Sequence, residues 1–339
     1  MTQAASPPAR IRALGFSLPG DPIPLTSLDL TEAERARLGP LQQRFTHRAS
    51  TNSTMLGIQA AQAALNGARC RPEDVSLVIS APSLLAAQGL EIPAVRLRAE
   101  LGLKSAECLN IAQGCVGVLA AAKLAQQRFE VDRSAKNVLV VTTCVASTLT
   151  DHYTHGSFFW GDGAAAMVLT SEPGEGLAFA GYAECSADLD TDAMSIPNVG
   201  DAPRASEVGG APRIQVAFTD SAAQTRYIRG ERTRFSRVLE ALASGARTSV
   251  DQFEAIFVPS TGANRVATLF AGSPELESRI GTDFSHPHIG GVDVFLFLSR
   301  YLQRKRPKAG SLFATLSPAF TAQWAGVLWQ AVGEPARTS

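Results

Sequence analysis

The sequence has no excess of charge of either sign, since 31 lysines and arginines stand against 31 aspartates and glutamates. A balanced chain carries no net charge that would attract nucleic acid or an anionic membrane surface. It also has no apolar run long enough to span a bilayer, and its first residues, MTQAASPPARIRALGF, lack the apolar segment of a signal peptide. These absences predict a soluble cytoplasmic protein that binds neither nucleic acid nor a membrane.

Cysteine is scarce as well, and no two cysteines form a CxxC pair or have the spacing of metal ligands. The five are scattered along the chain as Cys70, Cys108, Cys115, Cys144 and Cys185. In an intracellular protein of this size, such cysteines are reduced thiols. We therefore expect neither a disulfide framework nor a metal site.

What the sequence does contain is a regular alternation of β-branched apolar runs and Ala-rich helical segments. Residues 75–83 and 137–147 are predicted as buried strands, and residues 55–68 and 115–129 as helices. Continuous apolar strands between such helices indicate a sheet that is covered on both faces, so the predicted class is α/β.

The second half of the chain repeats this scheme, with a helix, a strand, a buried helix and a strand predicted at 232–246, 253–262, 292–303 and 311–318. Cys115 precedes Val138 by 23 positions, and His288 precedes Ser311 by the same number. Each therefore opens the buried helix of its half. The pattern predicts an internal duplication with halves at 1–170 and 171–339, and an irregular insertion rich in Gly, Pro, Ser and Asp at about 185–223.

Cys115 is the first candidate for chemistry, in the segment NIAQGCVGVLAAA. It lies between Gly114 and a helix start, where free N–H groups and the helix dipole favour a thiolate. Nearby glycines let a substrate approach the backbone closely. The alternative is a buried, inert cysteine that packs as a small hydrophobic side chain.

Asp293 is the second candidate, because a carboxylate stands just inside the apolar helix of HPHIGGVDVFLFL, five positions after His288. A negative charge in the first turn is favoured by the helix dipole, so Asp293 can be explained as a cap. The other interpretation is that Asp293 orients the His288 imidazole for catalysis. The two roles are compatible with each other.

Three motifs together carry a resemblance to a known family. The segments NIAQGCVGVLAA, NVLVVTT and FFWGDGAAAMVL resemble the β-ketoacyl-ACP synthase III branch of the thiolase superfamily, and the order of elements agrees from about Ile11 to Val332. The resemblance implies a thiolase-like, duplicated αβαβα five-layer fold and a homodimer. It also implies acyl-thioester chemistry on the cysteine, with thioesters of coenzyme A or phosphopantetheine as substrates. No metal or redox cofactor is implied.

The chain departs from the condensing members of that family at two positions. Where they carry a catalytic His, the segment VPSTGANRV has Ser260 or Thr261, and where they carry a catalytic Asn, HIGGVDVFLFL has His288. Cys115, His288 and Asp293 remain, which is the nucleophile, base and orienting pattern of acyl transfer. The chain thereby resembles the acyltransferase subgroup of specialised-metabolite pathways.

The resemblance also suggests contacts to the substrate. Asn264 survives in VPSTGANRV, the segment where the condensing enzymes carry their catalytic His, and the Cys115 N–H is one expected oxyanion donor. The second donor would come from the C-terminal strand, where Pro318 has no N–H to give, so Ala319 and Phe320 are the candidates.

The segment RYIRGERTRFSR, residues 226–237, is the most basic in the chain. In the family this region lies near the entrance for the pantetheine arm, and arginines suit the phosphates of coenzyme A or an acidic carrier protein. The candidate side chains are Arg226, Arg229, Arg232, Arg234 and Arg237. A solvated helix face is the alternative explanation.

The leading hypothesis is an acyltransferase of secondary metabolism, related to polyketide or fatty acid biosynthesis. It would move an acyl group from acyl-CoA or an acyl carrier protein, through Cys115, to the oxygen, nitrogen or sulfur of a small-molecule acceptor. One alternative is a carbon–carbon condensing enzyme of the synthase III type. A second is a non-catalytic subunit that supports an active paralogue.

Overall fold

The computed structural model describes residues 7–84, 92–148, 153–154, 158–187, 194–195, 217–319 and 322–333. Nine strands form the main sheet: β1 Arg10–Ser17, β4 Val75–Ser80, β5 Glu107–Asn110, β6 Asn137–Cys144, β9 Gly163–Thr170, β10 Gly176–Ser186, β13 Phe253–Phe257, β14 Leu312–Ala319 and β15 Gln323–Val332. Three two-stranded sheets contain the other described strands: β2 Ile23–Pro24 with β3 Phe45–Thr46, β7 Tyr153–Thr154 with β8 Phe158–Phe159, and β11 Met194–Ser195 with β12 Ala217–Phe218.

The helices are α1 Glu32–Leu41, α2 Ser53–Ala68, α3 Pro93–Glu100, α4 Gly117–Val131, α5 Ser221–Gly245, α6 Ala263–Leu269, α7 Pro274–Glu277 and α8 Val292–Arg304. No helix in the described ranges is long and apolar enough to cross a membrane.

The sheet order β13-β14-β15-β10-β1-β9-β6-β4-β5 contains the same arrangement twice. In the first half β4 is parallel to β6, β6 antiparallel to β9, and β9 antiparallel to β1. In the second half β13, β14, β15 and β10 repeat those directions in the same order. Even the edge strand β5 has a counterpart, because Ile280 makes a parallel bridge to Ile256 of β13. The predicted duplication is thus visible in the strand pairing.

Two helices lie between the two halves of the sheet. Helix α4 contacts β6 of the first half and β10 and β15 of the second, and α8 contacts β13 and β14 as well as β1, β6 and β9. Both helices contribute to one buried apolar cluster with strands of both halves. Helices α2 and α3 cover the outer face of the first half, and α5 covers that of the second. This is the five-layer αβαβα arrangement that the family resemblance implied.

Two predicted elements differ most from the structure in extent. Helix α5 begins at Ser221 rather than at 232, because Asp220 accepts a hydrogen bond from Ala223 N at 2.6 Å and caps an earlier start. The predicted strand 253–262 ends at Phe257, since the following backbone turns away and Val258 N binds the Thr282 hydroxyl at 3.0 Å. In the expected insertion at 185–223, residues 188–193 and 196–216 lie outside the described ranges.

Candidate active site

Cys115 lies in a short 3-10 turn, Gly114–Val116, that leads directly into α4. Gly114 adopts a left-handed φ of 56°, a conformation that glycine reaches at no steric cost. The turn places Cys115 between the two halves of the sheet with only 3% of its surface exposed. The thiol is therefore held in a dry environment at the start of a central helix.

His288 is positioned by the segment FFWGDG of the first half. Its backbone N–H donates to Phe159 O at 2.8 Å, and its carbonyl accepts from Gly161 N at 2.9 Å. The ring of Trp160 lies 4.7 Å from the imidazole, centroid to centroid, and the Phe158 ring meets it edge-on at 4.8 Å. Both the backbone and the ring plane of His288 are thus set by a neighbouring strand.

The three residues predicted to work together do lie together. The Sγ atom of Cys115 is 3.8 Å from Nε2 of His288, and Nδ1 of His288 is 2.6 Å from Oδ2 of Asp293. His288 and Asp293 are 3% and 0% exposed. The imidazole can therefore exchange a proton at Nε2 while Nδ1–H donates to a fixed carboxylate.

Asp293 accepts two backbone hydrogen bonds in addition to the one from His288. Ile289 N donates to Oδ1 at 2.7 Å, and Ser260 N donates to Oδ2 at 2.9 Å. The carboxylate is directed at these groups, which lie outside α8, so orientation of His288 describes its contacts better than capping does. Ser260 and Thr261 are the two candidates for the position where condensing enzymes carry a His, and the Ser260 backbone N–H here supports Asp293.

The charge state of His288 follows from this environment. Burial lowers its pKa, but the Asp293 carboxylate, its hydrogen bond to Nδ1 and the contact with Cys115 raise the pKa, to about 9 in sum. At neutral pH the imidazole is accordingly a cation, and it faces the Cys115 sulfur. Negative charge that develops on this sulfur would therefore face a cation in a buried site, where opposite charges attract strongly.

Ser83 joins the cysteine side of the site to the histidine side. Its hydroxyl oxygen accepts from Gly291 N at 2.7 Å, next to the start of α8. A Cβ at Gly290 would lie 2.3 Å from Ser83 Oγ, and one at Gly291 would lie 3.1 Å from Cys115 O. Two consecutive glycines are thus required for the His288 loop to approach Cys115 closely.

The residues suggested as substrate contacts are only partly brought to this place. Ala319 is close, because a Cβ at Gly114 would lie 3.6 Å from the Ala319 Cβ. The Ala319 carbonyl accepts from the Tyr227 hydroxyl at 3.3 Å. Asn264 is the second residue of α6 and is exposed, while Phe320 lies outside the described residues.

The basic segment forms part of α5, and its arginines fall into two groups. Arg226, Arg229, Arg232 and Arg237 are exposed on the helix surface. Arg234 is half-buried instead, and its guanidinium lies 4.5 Å from the Trp324 ring centroid. This cation–π contact makes Arg234 part of the packing between α5 and β15.

Other ionisable groups near the site have no evident part in its chemistry. His286 is packed against Phe45, and burial, followed by the charge of Arg300, lowers its pKa to about 4. Burial likewise raises the pKa of the Cys144 thiol well above its ordinary value. Within the described part of the chain, no three His, Cys, Asp or Glu side chains are grouped to hold a metal ion.

Sequence reasoning missed the polar residues that hold the site in place, chiefly Gln43, Ser83 and Tyr227. Each is a single residue outside any motif, and its partner lies far away in the sequence. Gln43 and Ser260, for example, are 217 positions apart. The one available signal was the pair Gly290 and Gly291. Two consecutive glycines indicate that another part of the chain approaches the backbone closely, but they do not indicate which residue it is.

Comparison with known proteins gives matches in sequence and in structure. The model of the family 3-Oxoacyl-[acyl-carrier-protein (ACP)] synthase III matches residues 109–188. The Beta-ketoacyl-[acyl-carrier-protein] synthase III of Yersinia pseudotuberculosis is 30% identical over 141 residues, which are 41% of this chain and 44% of that protein. The sequence match thus spans less than half of the curated relative.

The structural matches extend over almost the whole chain. The structure named ChlB3 [Aceyltransferase] has a TM-score of 0.83 at 21% identity, and the match covers 98% of this chain and 100% of the ChlB3 chain. The 3-oxoacyl-[acyl-carrier-protein] synthase III of Aquifex aeolicus has a TM-score of 0.78 at 17% identity, covering 95% and 99%. Together with the observed αβαβα layers, the structural matches show that the chain has a thiolase-like fold, and the sequence matches show that its residues 109–188 are similar to the 3-oxoacyl-ACP synthase III family.

Proposed function

We propose that the protein is an acyltransferase that carries the acyl group on Cys115 and delivers it to an oxygen, nitrogen or sulfur acceptor. The observation that carries this proposal is the continuous chain of contacts from Cys115 Sγ through His288 to Asp293, at 3.8 and 2.6 Å. This is the arrangement of a nucleophile, a general base and an orienting carboxylate.

The first half-reaction starts from the thiolate–imidazolium pair. The Cys115 thiolate attacks the carbonyl carbon of an acyl thioester, and the Cys115 N–H is available to bind the oxyanion. The bond from the carbonyl carbon to the pantetheine sulfur then breaks. That sulfur leaves with the proton from His288 Nε2, so the acyl-enzyme faces a neutral imidazole.

The second half-reaction reverses the proton transfer. Neutral His288 accepts at Nε2 the proton of an O–H, N–H or S–H acceptor as the acceptor attacks the acyl-enzyme. The bond to Cys115 breaks, and the thiolate is released beside the imidazolium, which restores the starting state. Asp293 holds Nδ1–H throughout and stabilises the cation in the states where it forms.

The acyl donor is a thioester of coenzyme A or of an acyl carrier protein. The four exposed arginines of α5 support this part of the proposal, because guanidinium groups suit phosphates and acidic surfaces. No metal or redox cofactor enters either half-reaction as written. A cytoplasmic location and a role in secondary metabolism complete the proposal.

A homodimer is the proposed assembly. Strand β5 forms one edge of the nine-stranded sheet, and exposed apolar side chains surround it. They are Leu109 on β5 itself, Met55 on α2, Val95 on α3 and Ile92 just before α3. Each of these side chains is between 38% and 53% exposed. An open edge with apolar neighbours favours pairing with a second copy through a continued sheet.

Carbon–carbon condensation is the second candidate, and the names of the sequence relatives favour it. Against it stands Ser260, which is fully buried and whose backbone N–H is bonded to Asp293. No imidazole is available there to stabilise the enolate that decarboxylation of a malonyl thioester leaves behind. A non-catalytic subunit would have no need for the Cys115–His288–Asp293 contacts.

The decisive experiment is intact-protein mass spectrometry after incubation with a panel of acyl-CoAs and acyl carrier proteins. We expect a mass gain on Cys115 with one class of acyl group, its loss on addition of a nucleophilic acceptor, and no gain in Cys115→Ala. Release of carbon dioxide from malonyl thioester with formation of a β-ketoacyl product would instead support condensation. The absence of any acylation across the panel would overturn the acyltransferase proposal.

A further inference from the structure

Gln43 is a buried side chain in the short segment between α1 and β3. Helix α1 ends at Leu41, and the next residue, Gln42, has a left-handed φ of 62° that turns the chain sharply. Gln42 is left exposed by this turn, whereas Gln43 is only 2% exposed. The polar amide of Gln43 is therefore placed inside the protein, where it must find hydrogen-bond partners.

The amide finds them on three separate chain segments. Its Nε2 donates to Ser260 O at 2.7 Å, to His286 O at 3.2 Å and, more weakly, to Phe159 O at 3.4 Å. Its Oε1 accepts from Phe159 N at 2.8 Å. One side chain thus links a strand of the first half to two loops of the second.

Each of these segments positions part of the His288–Asp293 pair. Phe159 O accepts the backbone N–H of His288, and Ser260 N donates to the Asp293 carboxylate. His286 lies two residues before His288, and its carbonyl also accepts the Ser260 hydroxyl at 2.7 Å. A displacement of any of the three segments moves the imidazole or its carboxylate.

We propose that Gln43 is the positioning residue that fixes the His288–Asp293 pair against Cys115, an inference that rests on the proposed function. Without the amide, Phe159 N–H and the Ser260 and His286 carbonyls lose a buried partner, and the three segments move apart to reach water. A displacement of about 1 Å at a catalytic group can reduce the rate by about a hundredfold.

Two variants of Gln43 and one matched control test this role. Gln43→Asn keeps the amide but shortens the side chain, so the amide no longer reaches Ser260 and His286 together. Gln43→Glu keeps the length but replaces the donor by a carboxylate that repels both carbonyls. Gln42→Asn makes the same change as the first variant at the exposed neighbour, and Asn tolerates the left-handed conformation there.

We expect kcat for acyl transfer to fall at least tenfold in both Gln43 variants, with KM for the acyl donor nearly unchanged. Gln42→Asn should stay within about twofold of wild type, as exposed substitutions usually do. In Gln43→Asn, the basic limb of the pH profile of kcat/KM should also move to lower pH, because a looser Asp293 contact stabilises the imidazolium less. A loss of folded protein alone would lower kcat/KM by the same factor at every pH and would leave the basic limb at the same pH.

The outcomes separate this inference from the function on which it rests. A wild-type protein that is never acylated contradicts the proposed function. An active wild type whose Gln43 variants keep their kcat and their pH profile overturns the role of Gln43. If neither Gln43 variant shows a cooperative melting transition, Gln43 serves the fold as a whole, and the positioning role is likewise rejected.

Discussion

Asp293 and His288 are five residues apart, yet the loop between them folds back so that Nδ1 and Oδ2 lie 2.6 Å apart in a fully buried pair. The two intervening glycines and the partners of the carboxylate make this geometry possible. The chemistry proposed for the site depends on this pair, because it determines when the imidazole holds a proton.

Asp293→Asn tests the orienting role. The amide keeps one acceptor oxygen, but its NH2 group must face either the Ile289 N–H or both the Ser260 N–H and the His288 Nδ1–H. We expect kcat to fall by about a hundredfold or more, as for the orienting member of a triad. The free energy of unfolding should fall by about 1–3 kcal/mol because a buried donor is left unpaired. Near-normal kcat, measured by steady-state kinetics, would reduce Asp293 to a structural role.

The raised pKa of His288 predicts how stability changes with pH. The folded value is about 9 against an ordinary 6.5, so the stabilisation by the charged pair is fully present below about pH 6.5 and is lost as the pH rises through 9. The shift corresponds to a stabilisation on the order of 3 kcal/mol. We expect the difference in unfolding free energy between wild type and His288→Ala to shrink between pH 6.5 and 9.5. A constant difference in urea titrations would contradict the ion pair.

Gly290→Ala tests the junction at Ser83. The new Cβ would lie 2.3 Å from Ser83 Oγ at a left-handed φ of 60°, so Ser83 must move and its bond to Gly291 N must break. We expect kcat to fall at least about tenfold, since misplacement at an active site is costly. Gly310→Ala is the control, because Gly310 also has a positive φ but no atom within 4 Å of its Cβ position. Equal kcat losses in the two variants would show that backbone strain alone is responsible.

Leu109→Arg tests the proposed dimer edge. A charge on β5 at the centre of the exposed apolar group should prevent pairing of the edges. We expect wild type to sediment as a dimer at micromolar concentration and Leu109→Arg as a monomer. Val131→Arg is the control, because Val131 is 83% exposed at the end of α4 and apart from this group. A monomeric wild type, or a Leu109→Arg variant that remains a dimer, would contradict the predicted interface.

The apolar strands and largely apolar central helices predicted a duplicated α/β chain with a sheet covered on both faces, and the family resemblance supplied the five-layer order. The run Asn137–Cys144 and the helix Val292–Arg304 were placed within a few residues of their observed bounds. The sequence also pointed to Cys115, His288 and Asp293, since each is a reactive or charged residue at an unusual place in an apolar segment. Their common location follows from the pattern that repeats in both halves.

The supporting polar residues could not be predicted in the same way. Gln43, for example, follows an exposed helix, and its neighbours give no periodic signal of burial. Its role is decided by contacts with residues 116 and 217 positions away, which only the folded chain brings together. The early start of α5 was missed for a local reason, since Gly230 interrupts the helical pattern where the Arg234 side chain folds back over it.

The repeat of the strand order has a consequence for how such a site can arise. Cys115 and His288 lie shortly before the central helices α4 and α8 of their halves, and the internal repeat brings these two positions face to face. A symmetric pair of identical half-chains would present the same side chain twice at this point, two thiols or two imidazoles. Only when both halves are encoded separately within one chain can one copy keep the nucleophile while the other becomes the base.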